Sequence, residues 1–86
     1  MNEKTWVVYL LRCSDGSLYC GVSNNVEKRV IEHNSGMGAK YTQSHRPVAL
    51  VVTSREMSKG DALKLEYQIK KLPADQKIAE LEKWAS

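Results

Sequence analysis

The sequence predicts an α+β fold, an α/β sandwich in which a three-stranded, largely antiparallel sheet is flanked by helices in the order ββαβαα. Three observations carry that expectation. The run Trp6-Val7-Val8-Tyr9-Leu10-Leu11 is apolar on both alternating sets, the pattern of a strand covered on two faces. Turn chemistry at Ser14-Asp15-Gly16-Ser17 separates it from a second strand-like run, Leu18 to Val22, so the two form a hairpin. Two stretches with apolar residues at helical spacing follow, each opened by capping chemistry at Asn24 and Ser58.

The first strand, apolar on both faces, belongs at the centre of the sheet. In the hairpin, the turn type decides where the tyrosines point. A two-residue Asp-Gly turn would pair positions whose numbers sum to an odd value and set Tyr9 and Tyr19 on opposite faces. A three-residue loop, Ser14-Asp15-Gly16 with Gly16 left-handed in a bulge, makes the sum even and puts both on one face. Both turns are compatible with these residues. Asn24-x-x-Glu27 then has the form of a capping box, and Val26, Val30 and Ile31 supply the stripe of a helix ending near Asn34, with Ser35-Gly36-Met37-Gly38 as its stop. Ala39 to Arg46 is polar and basic. Residues 47–52 form the third strand, with Pro47 at its first position, where the missing N–H is tolerated. Ser58-x-x-Asp61 opens a helix whose inner face carries Ala62, Leu65, Ile69 and Leu72. Pro73 stops it and leaves a short last helix over about residues 74–84.

One domain spans residues 1–86, because 86 residues divided between two cores would bury too little apolar surface to offset chain entropy. With 42% apolar and 27% charged residues, the composition excludes disordered and low-complexity classes. The longest apolar run, Trp6 to Leu11, is far short of the roughly 20 residues that cross a bilayer. Met1-Asn2-Glu3-Lys4 lacks the basic and apolar regions of a secretory signal, so no membrane is expected and the cytoplasm is the expected location. Cys13 and Cys20, in a C-x6-C spacing foreign to common zinc sites, read as buried free thiols. A net charge of +3 is compatible with a polyanion without requiring one.

Three groups of residues have chemical potential. Arg29 and His33, four apart on a helix, present one face that can hold a phosphate: a forked donor beside a second donor that titrates near neutrality. A solvated helix face with Lys28 and Glu32 is the plainer reading of the same spacing. Glu66 lies among Leu63, Leu65, Tyr67 and Ile69, where a carboxylate either marks the edge of the apolar stripe or binds a cation. Tyr9 and Tyr19 sit inside strands, where tyrosine is ordinarily structural.

Taken together, these residues resemble the GIY-YIG nuclease family over nearly the whole chain. Val7-Val8-Tyr9 stands at the first motif triplet and Tyr19-Cys20-Gly21 at the second, with nine residues between the tyrosines. Asn24-x4-Arg29-x3-His33 is similar to the family's helix, and Glu66 falls where its metal-binding glutamate is expected. The string from Tyr9 to Tyr19, with Gly38-Ala-Lys-Tyr-Thr and Arg46-Pro47, resembles the small stand-alone bacterial members of YhbQ or YazA type. Val7-Val8 replaces Gly-Ile and Cys20 replaces Ile, and neither change removes a polar group. No asparagine follows Asn34, although some members carry one after the glutamate.

The resemblance implies an endonuclease that hydrolyses phosphodiester bonds of nucleic acid, DNA ahead of RNA, in a repair or recombination context. It implies one Mg²⁺ or Mn²⁺ at Glu66, Arg29 on a non-bridging phosphate oxygen, and Tyr9 and Tyr19 jointly as the base, with His33 orienting a tyrosine or the phosphate. Lys28, Arg29, Lys40 and Arg46 are the implied nucleic-acid contacts. Many members carry a separate DNA-recognition module for which 86 residues leave no space, so a partner protein is one expected source of target specificity. The alternative is a nucleic-acid-binding or protein-interaction module that keeps the nuclease scaffold without cutting.

Overall fold

The computed structural model describes residues 4–85; residues 1–3, which hold most of the N-terminal pattern read above, and Ser86 lie outside them. Strands β1 (Val7–Arg12), β2 (Leu18–Ser23) and β3 (Ala49–Thr53) form one sheet in the order β2-β1-β3, with both pairings antiparallel. The expected ββαβαα order stands, with helices α1 (Val26–Asn34), α3 (Lys59–Lys70) and α4 (Ala74–Glu82). One turn of helix, α2 (Lys40–Gln43), is added inside the α1–β3 connection, in the segment expected to be merely polar. Among the described residues no helix is long and apolar enough to cross a membrane.

The hairpin takes the three-residue loop. Gly16 has φ +86°, the Cys13 N–H donates to Ser17 O at 2.8 Å and the Gly16 N–H to Cys13 O at 2.9 Å. A side chain at that φ would be strained, which is why glycine ends the loop. The register follows: Tyr9 opposes Gly21 and Leu11 opposes Tyr19, an even sum, so Tyr9 and Tyr19 share a face. That parity divides the core in two. Val8, Leu10 and Cys20 pack with Met57, Ala62, Leu65, Ile69 and Leu81 under α3 and α4. On the opposite face Tyr9, Leu11, Cys13 and Val48 pack with Tyr19, Val26 and Val30 under α1. Both cysteines are buried and free, one in each layer.

Local boundaries differ from the sequence expectation for identifiable reasons. The N-cap of α1 is Asn25 rather than Asn24, its side chain accepting from the Lys28 N–H at 3.2 Å. Ser23 Oγ accepts the Asn25 N–H at 2.9 Å, which carries the chain one residue further before the helix starts and leaves Glu27 in the first turn without a box partner. Ile31 is exposed; the inward face of α1 is Val26, Val30 and then His33. β3 starts at Ala49 rather than Pro47. Asn34 holds Val48 in place of a strand neighbour, Oδ1 accepting its N–H at 2.7 Å and Nδ2 donating to its carbonyl at 3.0 Å. Ser58 caps α3 as expected, accepting from the Asp61 N–H at 3.2 Å. Past the end of α3, Lys77 Nζ donates to the carbonyls of Ile69 and Lys70 at 2.9 and 3.1 Å.

Candidate active site

The α1-facing side of the sheet carries a polar cluster inside an apolar layer. From β1, Tyr9 is 1% exposed and its hydroxyl is 3.0 Å from His33 Nε2. His33 is fully buried because its place on α1, three residues past Val30, turns it toward the sheet. Its other ring nitrogen, Nδ1, lies 2.7 Å from Thr42 Oγ1, and that hydroxyl donates to Ala39 O at 2.8 Å. Tyr19, from β2, sets its ring centroid 5.2 Å from that of His33 and 6.5 Å from that of Tyr9.

Two glycines make room for this packing. A Cβ on Gly21 would stand 2.5 Å from the Tyr9 hydroxyl oxygen. A Cβ on Gly38 would collide with the His33 ring and its Cα. Both positions therefore require the absence of a side chain rather than an unusual backbone angle.

Electrostatics follow from the burial. Burial pushes the Tyr9 phenol up to about 12, while Arg29, within hydrogen-bonding influence, pulls the other way. Burial, and then the Arg29 charge, hold the His33 imidazole below its usual value, against the pull of Glu32. Arg29 itself is one-third exposed, Nη1 pairing with Glu32 Oε1 at 3.0 Å. The cluster thus holds a neutral imidazole, a protonated phenol and a one-third-exposed guanidinium whose fork is only partly engaged.

Above Tyr19 sits α2. Its Tyr41 ring is stacked on His45 at 4.3 Å and 6°, and the Tyr41 hydroxyl donates to Ser17 Oγ at 2.6 Å. Ser17 in turn donates through both its hydroxyl and its N–H to Asp15, which draws that carboxyl below the usual range, and His45 Nε2 lies 3.4 Å from the same carboxylate. The hairpin loop and α2 are therefore joined across the mouth of the site.

The structure brings together Tyr9, Tyr19, Arg29 and His33. Glu66 does not share their face: its helix, α3, packs on the opposite layer of the sheet. It lies at the β2 edge, close enough to Cys20 that its charge adds to the burial that pushes that thiol up to about 12. Its carboxylate, 18% exposed, has the exposed Lys70 at 3.3 Å. Its partner Lys70 borders an open cleft of about 300 Å³ with Leu18, Tyr19, Cys20, Tyr41 and Lys77, beside the β2 edge. Among the described residues no group of three or more His, Cys, Asp or Glu converges on a metal position.

Of the residues expected to meet nucleic acid, Lys28 is exposed on α1 and borders a second cleft with Arg29, and Lys40 is exposed at the start of α2. Arg46 is also exposed, and in addition its Nε donates to Gln43 O at 3.1 Å and its Nη1 to Asn34 O at 3.3 Å, bracing α2 against the end of α1. Sequence reasoning missed Thr42, Gly38 and the Tyr41–His45 stack. A threonine in a polar stretch carries no periodic signal; the only pointer was the Gly38-to-Thr42 string itself.

The structure therefore sets two tyrosines on one face of a three-stranded sheet beside an arginine and a buried histidine from the next helix. Residues 5–79 match the GIY-YIG catalytic domain, and the chain belongs to that family. Within it, the chain is similar to the UPF0213 proteins. It is 48% identical to one from Nitratidesulfovibrio vulgaris over 77 residues, 90% of this chain and 70% of that protein. It is 51% identical to one from Staphylococcus epidermidis over 71 residues, 83% of this chain and 87% of that one. A solution structure of a protein from E. faecalis superposes with a TM-score of 0.62 at 40% identity, covering 95% of this chain and 88% of that one. That of a UPF0213 protein from Bacillus halodurans has a TM-score of 0.54 at 40% identity, covering 95% and 84%.

Proposed function

We propose that this protein is a divalent-metal-dependent endonuclease that hydrolyses phosphodiester bonds of nucleic acid, with DNA the first substrate to test. The observation that carries this reading is the buried Tyr9–His33 hydrogen bond with Tyr19 and Arg29 at its open side. Any buried phenol needs a hydrogen-bond partner, and here that partner is a side chain that can also exchange a proton with it.

Glu66 suits a Mg²⁺ or Mn²⁺ ion that takes a single protein carboxylate, its remaining positions filled by water and phosphate oxygens, since its one ion-pair partner is a solvent-exposed lysine. When bound, such an ion supplies charge stabilisation at the phosphoryl group and the leaving 3′ oxygen. Arg29 turns its unengaged donors to a non-bridging oxygen, where a fork holds two oxygens of the pentavalent arrangement. Tyr9 and Tyr19 jointly assist in removing the proton of the attacking water, the protonated Tyr9 passing its own phenol proton to His33, which also orients it. Lys28 and Lys40 attract the nucleic-acid backbone without selecting sequence.

One observation favours a scaffold that binds without cutting: Glu66 belongs to the opposite layer and is ion-paired. The same experiment decides between the two. A cleavage screen over structured DNA, single strands and RNA with Mg²⁺ and Mn²⁺, run beside Glu66→Ala, is expected to show metal-dependent cutting that the variant loses. Binding without cutting on any substrate would establish the second reading.

A further inference from the structure

The hydrogen-bond distances in the polar chain that ends at Ala39 favour one arrangement of protons. Thr42 Oγ1 has a single hydrogen, and the carbonyl of Ala39, 2.8 Å away, can only accept it. With that hydrogen directed to Ala39, the same oxygen is an acceptor toward His33, at 2.7 Å, and Nδ1 carries the ring proton. In a neutral imidazole Nε2 is then bare, and across 3.0 Å it accepts the hydrogen of the Tyr9 hydroxyl.

We infer that Thr42 is a positioning residue for the proposed hydrolysis: it locks His33 in the Nδ1–H tautomer, and Nε2 is thereby the proton acceptor for Tyr9. The inference rests on the nuclease reading above for its kinetic consequence, though not for its structural one. When Tyr9 Oη takes a proton from the attacking water, its own O–H bond breaks and an Nε2–H bond forms. Hydroxide goes to phosphorus, the positive charge resides on the imidazolium, and the proton leaves to solvent after turnover. A histidine in the Nε2–H form would already donate to Tyr9 and could take nothing.

The surroundings support a fixed rather than an incidental contact. Thr42 is fully buried, and α2, which carries it, is tied to the hairpin loop through Tyr41 and Ser17 and to the end of α1 through Arg46. Gly38, where any Cβ would strike the ring, lets the chain wrap His33 closely enough for that hydroxyl to reach Nδ1. Replacing Thr42 with valine keeps the shape and removes the acceptor. The Nδ1–H form then buries an unpaired donor, and the Nε2–H form leaves the buried Tyr9 hydrogen without its acceptor, so neither tautomer is held and the two average.

Long-range proton–nitrogen correlation spectra at pH 7.5 read the tautomer directly, and with two histidines in the chain His45→Gln assigns them. Wild type is expected to show a protonated Nδ1 and a bare Nε2 at His33. Thr42→Val is expected to show a reversed or averaged pair and turnover lowered by about 10- to 100-fold with KM within about twofold, and Thr42→Ser to restore both. A wild-type His33 in the Nε2–H form, or averaged between forms, overturns the inference, as does a Thr42→Val protein that keeps both Nδ1–H and turnover. Should the valine variant fail to fold, the wild-type and serine spectra still decide. A locked tautomer in a protein that cuts no substrate would count against the nuclease reading alone.

Discussion

His33 has two consequences that can be measured at the level of single residues. Its imidazole is held below the usual value, so in the window below about pH 6.5 the unfolded chain binds a proton that the folded chain resists. Stability is full above that window and falls as the pH drops through it. Urea midpoints between pH 7.5 and 5.5, above the carboxylate range, are expected to decline in wild type and to stay flatter in His33→Gln. Arg29 provides the second test. Arg29→Lys keeps the charge and loses the fork, so single-turnover cleavage should fall by about tenfold or more while affinity at one salt concentration changes by about twofold or less. Affinity collapsing in parallel with rate would make Arg29 a binding residue. Gly21→Ala places a methyl group against the buried Tyr9 hydroxyl and should destabilise by about 1–3 kcal/mol in denaturant unfolding.

Among the elements, the hairpin and the α1–β3 connection do most to build the site. The loop Ser14-Asp15-Gly16 sets the register parity that brings Tyr9 and Tyr19 to one face. The alternation in the strands showed that parity would matter without deciding it, because Asp-Gly serves both turn types. The helical stripes behaved differently. Ala62, Leu65 and Ile69 were readable because apolar side chains repeat at 3.6 residues, whereas His33 occupies the inward position of α1 where the same rule asks for an apolar residue. α2 was not readable at all: one turn of helix has no period, and its reason is the bond from Thr42 to a histidine nine residues earlier. The end of α1 offers a direct check. Asn34→Ala removes both hydrogen bonds to the buried Val48, and the orphaned N–H should cost about 1–3 kcal/mol, read from urea unfolding.

In the whole molecule, the sheet separates the tyrosine cluster from the helix that bears Glu66, and β2, which carries Tyr19, is an edge strand. The spacing of residues along the chain could not reveal this, since which layer a helix covers depends on the crossover and not on local pattern. The proposed nuclease activity therefore requires a phosphodiester to reach Glu66 past that edge, and Glu66 is the residue on which the proposal is most exposed to test. The direct measurement is single-turnover cleavage by wild type and Glu66→Gln on the best substrate of the screen, with and without chelator, beside the unfolding midpoint of each. The amide keeps the shape of the side chain and loses the charge that binds Mg²⁺. The account predicts wild-type cutting that stops with chelator, a Glu66→Gln protein slower by about 100-fold or more, and unchanged unfolding. Cleavage indifferent to chelator, or equal rates for the two proteins, would contradict it.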